Sequence, residues 1–239
     1  MASLVVRAAE RLFVSTESWT PIVNSLAGRE RSVRCLPIPS NIPVAGNRQM
    51  VTELRNRYPS GESLLIGHFG TYGTHIAALL TATLPSILLH DARRIVVLLG
   101  RGSENLRDEL IAQHPEIANR LHASGILSAE ALSCHLQVLD LMLQPYPDGI
   151  STRRTSIMAC LQHGIPTITT TGQLTEAFWS ETGAVVLLLL DDVGAIEKSV
   201  RRLQDDQDKR TRIGTRARTL YDDRFDIRHT IAALRGDAT

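Results

Sequence analysis

Cysteine is scarce in this sequence, and its apolar runs are short. The three cysteines, Cys35, Cys134 and Cys160, have no paired spacing and no clustered histidines beside them. They predict free packing thiols and argue against a disulfide framework or a zinc site. The longest apolar run, Ala184–Leu190, has seven residues and is too short to span a bilayer.

A general excess of basic charge is also missing. The net charge is +1, with 26 Lys and Arg against 25 Asp and Glu. This balance argues against a general polyanion binder, so we expect no nucleic-acid partner, and any basic site must be local. The N-terminus has too short an apolar run and too early a charge for a signal peptide. We therefore expect a cytoplasmic protein without a transmembrane segment, and a peripheral position at the inner face of the membrane stays open.

From Gly61 onward, short apolar runs alternate with segments in which the apolar residues recur with the period of a helix. Predicted strands lie at Ser63–Ile66, Ile95–Leu99, Arg120–Ala123, Leu139–Leu143, Ile165–Thr170 and Val185–Leu189. Predicted helices lie at Thr74–Leu84, Glu104–His114, Ala129–Val138, Ser151–His163, Leu174–Ser180 and Val193–Leu203. Strands that are apolar on both faces suit a buried parallel sheet, and strand–helix alternation suits right-handed βαβ units. The predicted fold class is therefore α/β, a Rossmann-like, doubly wound parallel sheet.

The first sixty residues do not continue this regular alternation of predicted strands and helices. Two predicted strands, Leu12–Thr16 and Val33–Ile38, flank a short helix near Thr20–Leu26. Pro37–Asn47 is interpreted as a linker rich in Pro and Asn, and the charged tail Asp191–Arg235 predicts two or three helices with a break at Asp222–Asp226. The first piece is too small to bury a core alone, so it is the end of something larger or an appendage of the main domain.

Ligands of open parallel sheets bind beyond the carboxyl ends of the strands, where glycine loops lead into helices. The first such loop is GHFGTYGTH, Gly67–His75, whose glycines allow a ligand close to the backbone and whose helix start favours an anion. A simple tight turn explains this loop equally well, and its two histidines, His68 and His75, are either acid–base groups or structural. The second loop, GRGSENLRDEL, places Ser103 as a helix cap. Arg101 then faces the crevice, unless the segment is only a well-capped surface helix.

The third loop, PDGISTRRTS, puts Arg153 and Arg154 at the start of a predicted helix. The helix dipole disfavours cations there unless an anion neutralises them, and guanidinium groups bind phosphate oxygens in bidentate fashion. Ser151 or Thr152 can cap the helix, which leaves nearby N–H groups facing outward. A pyrophosphate would then lie by the arginines, and Asp148 would be free to accept hydrogen bonds from sugar hydroxyls. A solvated arginine pair is the alternative.

This third segment resembles a motif of the retaining GT-B glycosyltransferases of family four, P-S-x-x-E-G-F-G-x-x-x-x-E-A-M-A-x-G-x-P-V-V. PYPDGISTRRTSIMACLQHGIPTIT, Pro145–Thr169, matches its frame. Asp148-Gly149 falls on the first Glu-Gly, Met158-Ala159 on Met-Ala, and Gly164 and Pro166 on the Gly and Pro. GRGSENL resembles the Gly-x-Gly loop after the family's second strand, and the likeness spans essentially Leu12–Leu234.

The resemblance implies the donor-binding half of a glycosyltransferase of the hexosyltransferase type, acting in polysaccharide biosynthesis. Residues 1–44 would be a remnant of the N-terminal GT-B domain with a linker, and residues 45–239 the C-terminal nucleotide-sugar-binding domain. Most of the acceptor half would be absent from this chain. The nucleotide-diphosphate sugar is a substrate, so we expect no cofactor and no metal. The acceptor would be a glycan or a lipid-linked molecule, and a separate acceptor-binding domain would complete the site.

The candidate site residues belong to the three loops. Catalysis is assigned to Asp148, and donor binding to Gly67, His68, Gly70, Thr71, Gly73, Arg101, Gly149, Ser151, Thr152, Arg153, Arg154, Thr155 and Ser156. The family's second Glu, which contacts the ribose, is replaced by Ser156, and GHFGTYGTH lacks the family's basic residue. Our hypothesis is that the adjacent arginines of the third loop supply that charge.

Two other functions stay open. One is a non-catalytic nucleotide-sugar-binding fragment or subunit that needs a separate acceptor-binding domain. The other is a sugar-nucleotide epimerase of the same architecture. Epimerases of this kind need carboxylates in both domains, which half a chain supports poorly.

Overall fold

The N-terminal segment forms a small unit of its own. The structure, a computed structural model, describes residues 1–59, 63–190 and 192–236. In this first segment lie α1 (Ala2–Ala8), β1 (Leu12–Val14), α2 (Thr20–Ala27) and β2 (Val33–Cys35), and the two strands pair in parallel as a separate sheet. The predicted strand–helix–strand order is confirmed, but both strands are shorter than predicted. Thr16 leaves β1 and donates to Glu176 at 2.8 Å, and Pro37, which has no N–H, follows β2.

The predicted linker packs against the main domain. Ile42 is buried in the same core cluster as Leu54 of α3 (Arg48–Arg55). Asn47, at the end of the linker, caps α3 by accepting a hydrogen bond from the Met50 N–H. We did not predict α3, which has only eight residues and three apolar side chains, Met50, Val51 and Leu54, of which Leu54 is buried.

The main sheet has six parallel strands, as predicted. They are β3 (Leu64–Phe69), β4 (Arg94–Leu99), β5 (Leu121–Ala123), β6 (Leu141–Gln144), β7 (Thr167–Thr170) and β8 (Val186–Leu188). Their order across the sheet is β5-β4-β3-β6-β7-β8. The chain therefore moves outward in one direction from β3 and in the other direction from β6, which confirms a doubly wound sheet and puts its switch point between these two strands.

Helices cover both faces of this sheet. They are α4 (Thr74–His90), α5 (Ser103–Gln113), α6 (Ala129–Gln137), α7 (Thr155–Gln162), α8 (Trp179–Thr182), α9 (Val193–Gln204), α10 (Gln207–Arg224) and α11 (Ile227–Arg235). Two core clusters result, one beneath α4, α5 and α9 and the other beneath α3, α6, α7 and α10. Along β3, Leu65 belongs to one cluster while Leu64 and Ile66 belong to the other. This alternation explains why the strands read as continuous apolar runs.

Several predicted boundaries are wrong for identifiable reasons. Strand β3 extends to Phe69, so Gly67 and His68 lie inside the strand and not in the loop. Helix α4 continues through Pro85 to His90, although a proline inside a helix removes one backbone hydrogen bond. The helix predicted at Leu174–Ser180 is reduced to α8, because the N–H of Leu174 bonds to the carbonyl of Asp148. Asp191, the first residue of the predicted charged tail, lies outside the described residues.

The predicted tail helices are confirmed, and the break falls where it was expected. Helix α10 ends at Arg224, and the Asp226 side chain caps α11 by accepting from the Arg228 N–H. Within the described parts of the chain, no helix combines the length and the apolar character needed to cross a membrane.

Two glycines inside helices provide a test of the packing between α7 and α10. A Cβ at Gly214 of α10 would lie 2.3 Å from the carbonyl oxygen of Gly164, whereas a Cβ at Gly194 of α9 would meet its nearest atom at 3.4 Å. We expect Gly214→Ala to lower the free energy of unfolding by roughly 1–3 kcal/mol through overpacking. Gly194→Ala should leave it unchanged or raise it by up to about 1 kcal/mol, because alanine favours helix. Urea unfolding measures both, and equal stability of the two variants would contradict the close approach of α10 to Gly164, in the turn that follows α7.

Candidate functional site

Three loops meet at the carboxyl edge of the main sheet. They follow β3, β4 and β6 and begin at Gly70, Gly100 and Pro145. Because β3 pairs with both β4 and β6 in parallel, these loops emerge side by side around the switch point. The structure therefore brings together the three loops that the sequence analysis singled out.

The first two loops are interlocked through glycine. Gly100 has a φ of +112°, and a Cβ there would lie 2.3 Å from the carbonyl oxygen of Gly70. The hydroxyl of Tyr72 lies 3.3 Å from the carbonyl oxygen of His68 and 3.2 Å from that of Leu99, so it links the ends of both strands. A side chain at Gly100 would separate the two loops.

The third loop is held in the same way by the loop that follows β7. Gly149 has a φ of +84°, and a Cβ there would lie 2.3 Å from the backbone nitrogen of Gly172. The N–H of Leu174 donates to the carbonyl of Asp148 at 2.9 Å. The position of Asp148 is thus set by its backbone contacts as well as by its charge.

Two adjoining cavities open between these loops. The Arg101 cavity, about 470 Å³, is lined by Phe69, Gly70, Thr71, Gly100, Arg101, Ile126, Leu127, Leu132, Arg153, Arg154, Thr155 and Ser156. The His75 cavity, also about 470 Å³, is lined by Thr71, Gly73, Thr74, His75, Ile76, Pro147, Asp148, Arg154 and Gln173. Thr71 and Arg154 line both cavities, so one extended ligand can contact both.

A larger cavity of about 540 Å³ lies at the opposite edge, near the amino ends of β6 and β7. Its arginines are already engaged by the protein. Arg210 donates to the carbonyls of Leu203 and Gln204, and Arg218 pairs with Asp222 and donates to the carbonyl of Gln162. We therefore place the candidate site at the carboxyl edge.

The two adjacent arginines of the third loop share one carboxylate. Arg153 and Arg154 each form an ion pair with a different oxygen of Asp148. The expectation that Asp148 is free to accept hydrogen bonds is therefore wrong, since both of its carboxylate oxygens are engaged by arginines. Burial alone would raise the pKa of Asp148, but the guanidinium groups of Arg154 and Arg153 outweigh it and hold this pKa below its ordinary value.

One carboxylate does not neutralise two guanidinium groups. The Nε atoms of both arginines are buried and have no hydrogen-bond partner among the described residues. The Arg101 cavity is lined by both of these arginines and by Arg101, with no acidic side chain in its lining. Its electrostatic field therefore favours an anion.

Aromatic rings support both guanidinium groups. The Arg154 guanidinium lies 4.6 Å from the centroid of the Tyr146 ring, and the Arg153 guanidinium lies 5.7 Å from that of Trp19. Tyr146 is buried and its hydroxyl lies 2.8 Å from the Ser156 Oγ. Each ring thus restricts the rotation of a guanidinium group that is otherwise held by Asp148 alone.

Helix α7 begins at Thr155, four residues later than predicted. Neither Ser151 nor Thr152 caps it, and no side chain bonds its first N–H groups at the cap position, Arg154. Thr155 and Ser156 therefore present backbone N–H groups without an intrahelical partner, and both residues line the Arg101 cavity. The predicted combination of a helix start and arginines is present, and free N–H groups at a helix start favour a nearby anion.

The late start of α7 has a structural cause in Thr152. Its N–H bonds to the Glu176 carboxylate at 3.2 Å, its carbonyl accepts from the Ile38 N–H at 3.0 Å, and its Oγ1 lies 2.7 Å from the Ser15 carbonyl oxygen. These bonds hold Thr152 in an extended segment that cannot belong to the helix.

Five predicted site residues do not line either cavity, and one of them, Gly149, instead makes the close backbone contact with Gly172 described above. Gly67 lies within β3, where a Cβ would be 2.3 Å from a methyl carbon of Leu139, so the glycine serves close packing. Ser151 is fully buried, and its hydroxyl has no partner among the described residues. The other two, His68 and Thr152, are buried and hydrogen-bonded to the backbone of Leu143 and Ser15.

The second loop also differs in detail. Gly102, with a φ of +87°, occupies the cap position of α5, and Ser103 is the first helical residue. The Oγ of Ser103 accepts a hydrogen bond from the Gly125 N–H at 3.0 Å, so it ties β5 to this loop instead of capping the helix. Arg101 lines the cavity as predicted.

Comparison with solved structures identifies the architecture. The sucrose-phosphate synthase from Thermosynechococcus elongatus superposes with a TM-score of 0.76 at 16% identity, over 98% of this chain and 58% of that chain. The chain has the fold of a GT-B domain. The GT-B neighbours include Anabaena HepE in complex with UDP-glucose, with a TM-score of 0.69 at 17% identity over 99% of this chain and 66% of that one. WaaG, a glycosyltransferase involved in lipopolysaccharide biosynthesis, matches with a TM-score of 0.68 at 14% identity over 94% and 62%.

These matches define the fold and its extent. The chain spans 58% to 66% of the length of the three structures. No protein-family model matches the sequence, and no curated protein matches it. The Rossmann-like sheet that the sequence predicted is thus the sheet of a GT-B domain.

Some residues that line the two cavities were not predicted. The apolar wall of the Arg101 cavity comes from Ile126, Leu127 and Leu132, and Gln173 lines the His75 cavity. These residues follow β5 and β7 in sequence and therefore lie at the carboxyl edge of the sheet. This position could have been used to predict them as site residues. No group of three or more His, Cys, Asp or Glu in the described residues is arranged to hold a metal ion.

His68 gives a pH-dependent prediction for the strand beneath the site. Its Nδ1 lies 2.9 Å from the Leu143 carbonyl oxygen and must carry the proton, since a carbonyl only accepts. Burial lowers the pKa of His68 from its ordinary value of 6.5 to about 4, although the bond to Leu143 opposes this shift. Between these pH values the unfolded chain binds a proton at His68 that the folded chain does not.

We therefore expect the contribution of His68 to stability to be complete above pH 6.5 and lost progressively as the pH falls to about 4. The loss amounts to about 3 kcal/mol. His68→Asn keeps a donor toward Leu143 but cannot titrate, so its stability should fall less steeply over this range. Urea unfolding of both proteins at about pH 7.5, above both pKa values, and at about pH 5.5 and 4.5, between them, measures the difference. Parallel pH profiles would contradict a neutral buried imidazole.

Proposed function

We propose that this chain is the donor-binding half of a nucleotide-sugar-dependent glycosyltransferase that retains the anomeric configuration. It would transfer a hexosyl group from a nucleotide diphosphate to a glycan or a lipid-linked acceptor. The observation that carries the proposal is the convergence of Arg101, Arg153 and Arg154 with the start of α7 on one cavity of a GT-B domain. GT-B neighbours of the chain support the same reading.

The diphosphate would lie against the arginines and the N–H groups of Thr155 and Ser156. Guanidinium groups bind phosphate oxygens through paired, charge-assisted hydrogen bonds, and a helix start adds further donors. The same groups stabilise the charge that develops on the diphosphate as the bond to the sugar breaks. No general base is needed on this half of the site to stabilise the leaving group.

The two cavities suit the two ends of such a donor. The apolar wall at Ile126, Leu127 and Leu132 suits the flat face of a nucleobase, and the Arg101 cavity would therefore hold the nucleoside. The His75 cavity, which contains the Asp148 carboxylate and Gln173, would hold the sugar, whose hydroxyls need acceptors and donors. Arg154 lies between them, where the diphosphate would be.

The second candidate function is a nucleotide-sugar-binding subunit that needs a separate acceptor-binding domain. The N-terminal segment favours it, because a two-stranded parallel sheet rarely stands alone and α1 exposes Leu4 and Val5 at 72% and 65%. The GT-B neighbours are also longer than this chain. Calorimetry with nucleotide sugars beside a turnover assay separates the two functions. Binding without turnover that a second protein restores would favour the subunit.

Arg154→Ala tests the diphosphate site. UDP-glucose is the first donor to try, since HepE was solved in complex with it. A lost charge-assisted hydrogen bond should weaken UDP binding by roughly tenfold to a hundredfold. The matched control is Arg212→Ala, on the exposed surface of α10, which removes the same charge without touching either cavity. Calorimetry should show an unchanged Kd for this control, and an equally unchanged Kd for Arg154→Ala would refute the proposed site.

Asp148→Asn separates the two roles proposed for the carboxylate. The amide keeps the shape but removes the negative charge that pairs with both arginines. We expect UDP to bind several-fold more tightly, because the diphosphate no longer competes with Asp148. Turnover should fall, because the sugar loses a carboxylate acceptor. Calorimetry with UDP and a sugar-transfer assay with the acceptor partner present measure the two effects, and weaker UDP binding would contradict the competition.

A further inference from the structure

The third loop does not hold its arginines by contacts within the main domain alone. Residues of the N-terminal segment, residues 1–44, reach the loop at the two positions before Arg154. Thr152 bonds to Ser15 and Ile38, and Arg153 faces Trp19. The segment that is attached through β1 and β2 therefore contacts the candidate anion site directly.

The first of these contacts involves every polar atom of Thr152. Its hydroxyl lies 2.7 Å from the Ser15 carbonyl oxygen and 2.6 Å from an oxygen of Glu176, while its N–H donates to the same Glu176 oxygen at 3.2 Å. Its carbonyl accepts from the Ile38 N–H at 3.0 Å. Because all three groups are engaged, the backbone just before Arg153 has no freedom to turn.

The Glu176 carboxylate extends this cluster on both sides. It also accepts from the Thr16 hydroxyl at 2.8 Å and from the Trp179 Nε1–H at 2.9 Å. Glu176 is 7% exposed and Trp179 is 1% exposed, so the cluster is a buried junction between the N-terminal segment and the main domain. Buried hydrogen bonds that are satisfied in this way hold a single arrangement.

Trp19 completes the arrangement from the N-terminal side. Its ring centroid is 5.7 Å from the Arg153 guanidinium carbon, within the range of a cation–π interaction. Trp19 leaves 39% of its surface exposed, so burial in a core does not account for its position. The ring lies where it restricts the rotation of a long, charged side chain whose other partner is Asp148.

We propose that Trp19 is a positioning residue for Arg153, so that the N-terminal segment sets the geometry of the diphosphate site in the main domain. The inference rests on the proposed function for its ligand, a diphosphate, and on the contacts of Trp19, Ser15 and Ile38 for its geometry. The N-terminal segment is then a part of the donor site and more than an appendage of the fold. Arg154 and the α7 N–H groups bind the anion from the main domain, and Arg153 is brought to it from the segment side.

The test compares two aromatic residues of the same segment. Trp19→Leu removes the ring beside Arg153. Phe13→Leu is the matched control, because Phe13 has the same kind of contact at 5.8 Å with Arg11, which lies outside both cavities. We expect inorganic pyrophosphate to bind roughly two- to fivefold more weakly to Trp19→Leu, with Trp19→Phe restoring most of the affinity and Phe13→Leu unchanged.

A double-mutant cycle shows whether Trp19 acts through Arg153. In an Arg153→Ala background, Trp19→Leu should cause no further loss of pyrophosphate affinity, because the side chain that it positions is gone. A loss of the same size with and without Arg153 would overturn the inference and leave the proposed function intact.

A ligand-free measurement covers the case in which no diphosphate binds. The Nε–H resonance of Arg153, assigned from its disappearance in Arg153→Ala, should shift and exchange faster with water in Trp19→Leu and stay in place in Phe13→Leu. If the protein binds no pyrophosphate, the proposed function fails, and this resonance alone decides the positioning role. A resonance that is unmoved in Trp19→Leu would overturn that role.

Discussion

The parallel pairing of β3 with β6 is the constraint on which the candidate site depends. These strands carry the chain in opposite directions across the sheet, so the loops after them face each other over a crevice that no connection crosses. Gly67 suits this pairing, because a Cβ there would lie 2.3 Å from a methyl carbon of Leu139, whose side chain would have to move. Gly70 and Pro147 are thereby brought to the same edge although they lie far apart in sequence. Short loops therefore carry all the arginines of the candidate site to this edge of the sheet.

The charges within the third loop explain why two arginines lie at the start of a helix. Each one pairs with Asp148, which supplies the anion that the helix dipole argument requires. The carboxylate does not balance both guanidinium groups, and the remaining positive charge faces the Arg101 cavity. Asp148 thus holds both arginines in place, and the positive charge that it leaves unbalanced attracts an anion. A diphosphate with more charge than one carboxylate is suited to compete with Asp148 for the arginines.

The sequence was enough to predict the sheet, the order of its elements and the three loops, since these depend on periodicity and on glycine. It was not enough to place residues whose role depends on distant partners. His68 and Gly67 looked like loop residues because the apolar run ends before them, yet β3 continues through them, paired with β4 to Phe69. Thr152 looked like a helix cap because threonine favours that position, but its bonds to Ser15, Ile38 and Glu176 hold it outside the helix. Asp148 looked free because nothing in its spacing shows that both arginines turn back toward it.

The contact between Gly149 and Gly172 has a mechanical consequence for the crevice. With no side chain on either residue, the loop after β6 and the loop after β7 touch through their backbones, and the hydrogen bond from Leu174 to Asp148 joins them again. The two loops are therefore joined at two places through their backbones. Gln173 and Asp148 lie on either side of this junction and both line the His75 cavity. A ligand that contacts Gln173 would then act, through the junction, on the carboxylate that pairs with both arginines.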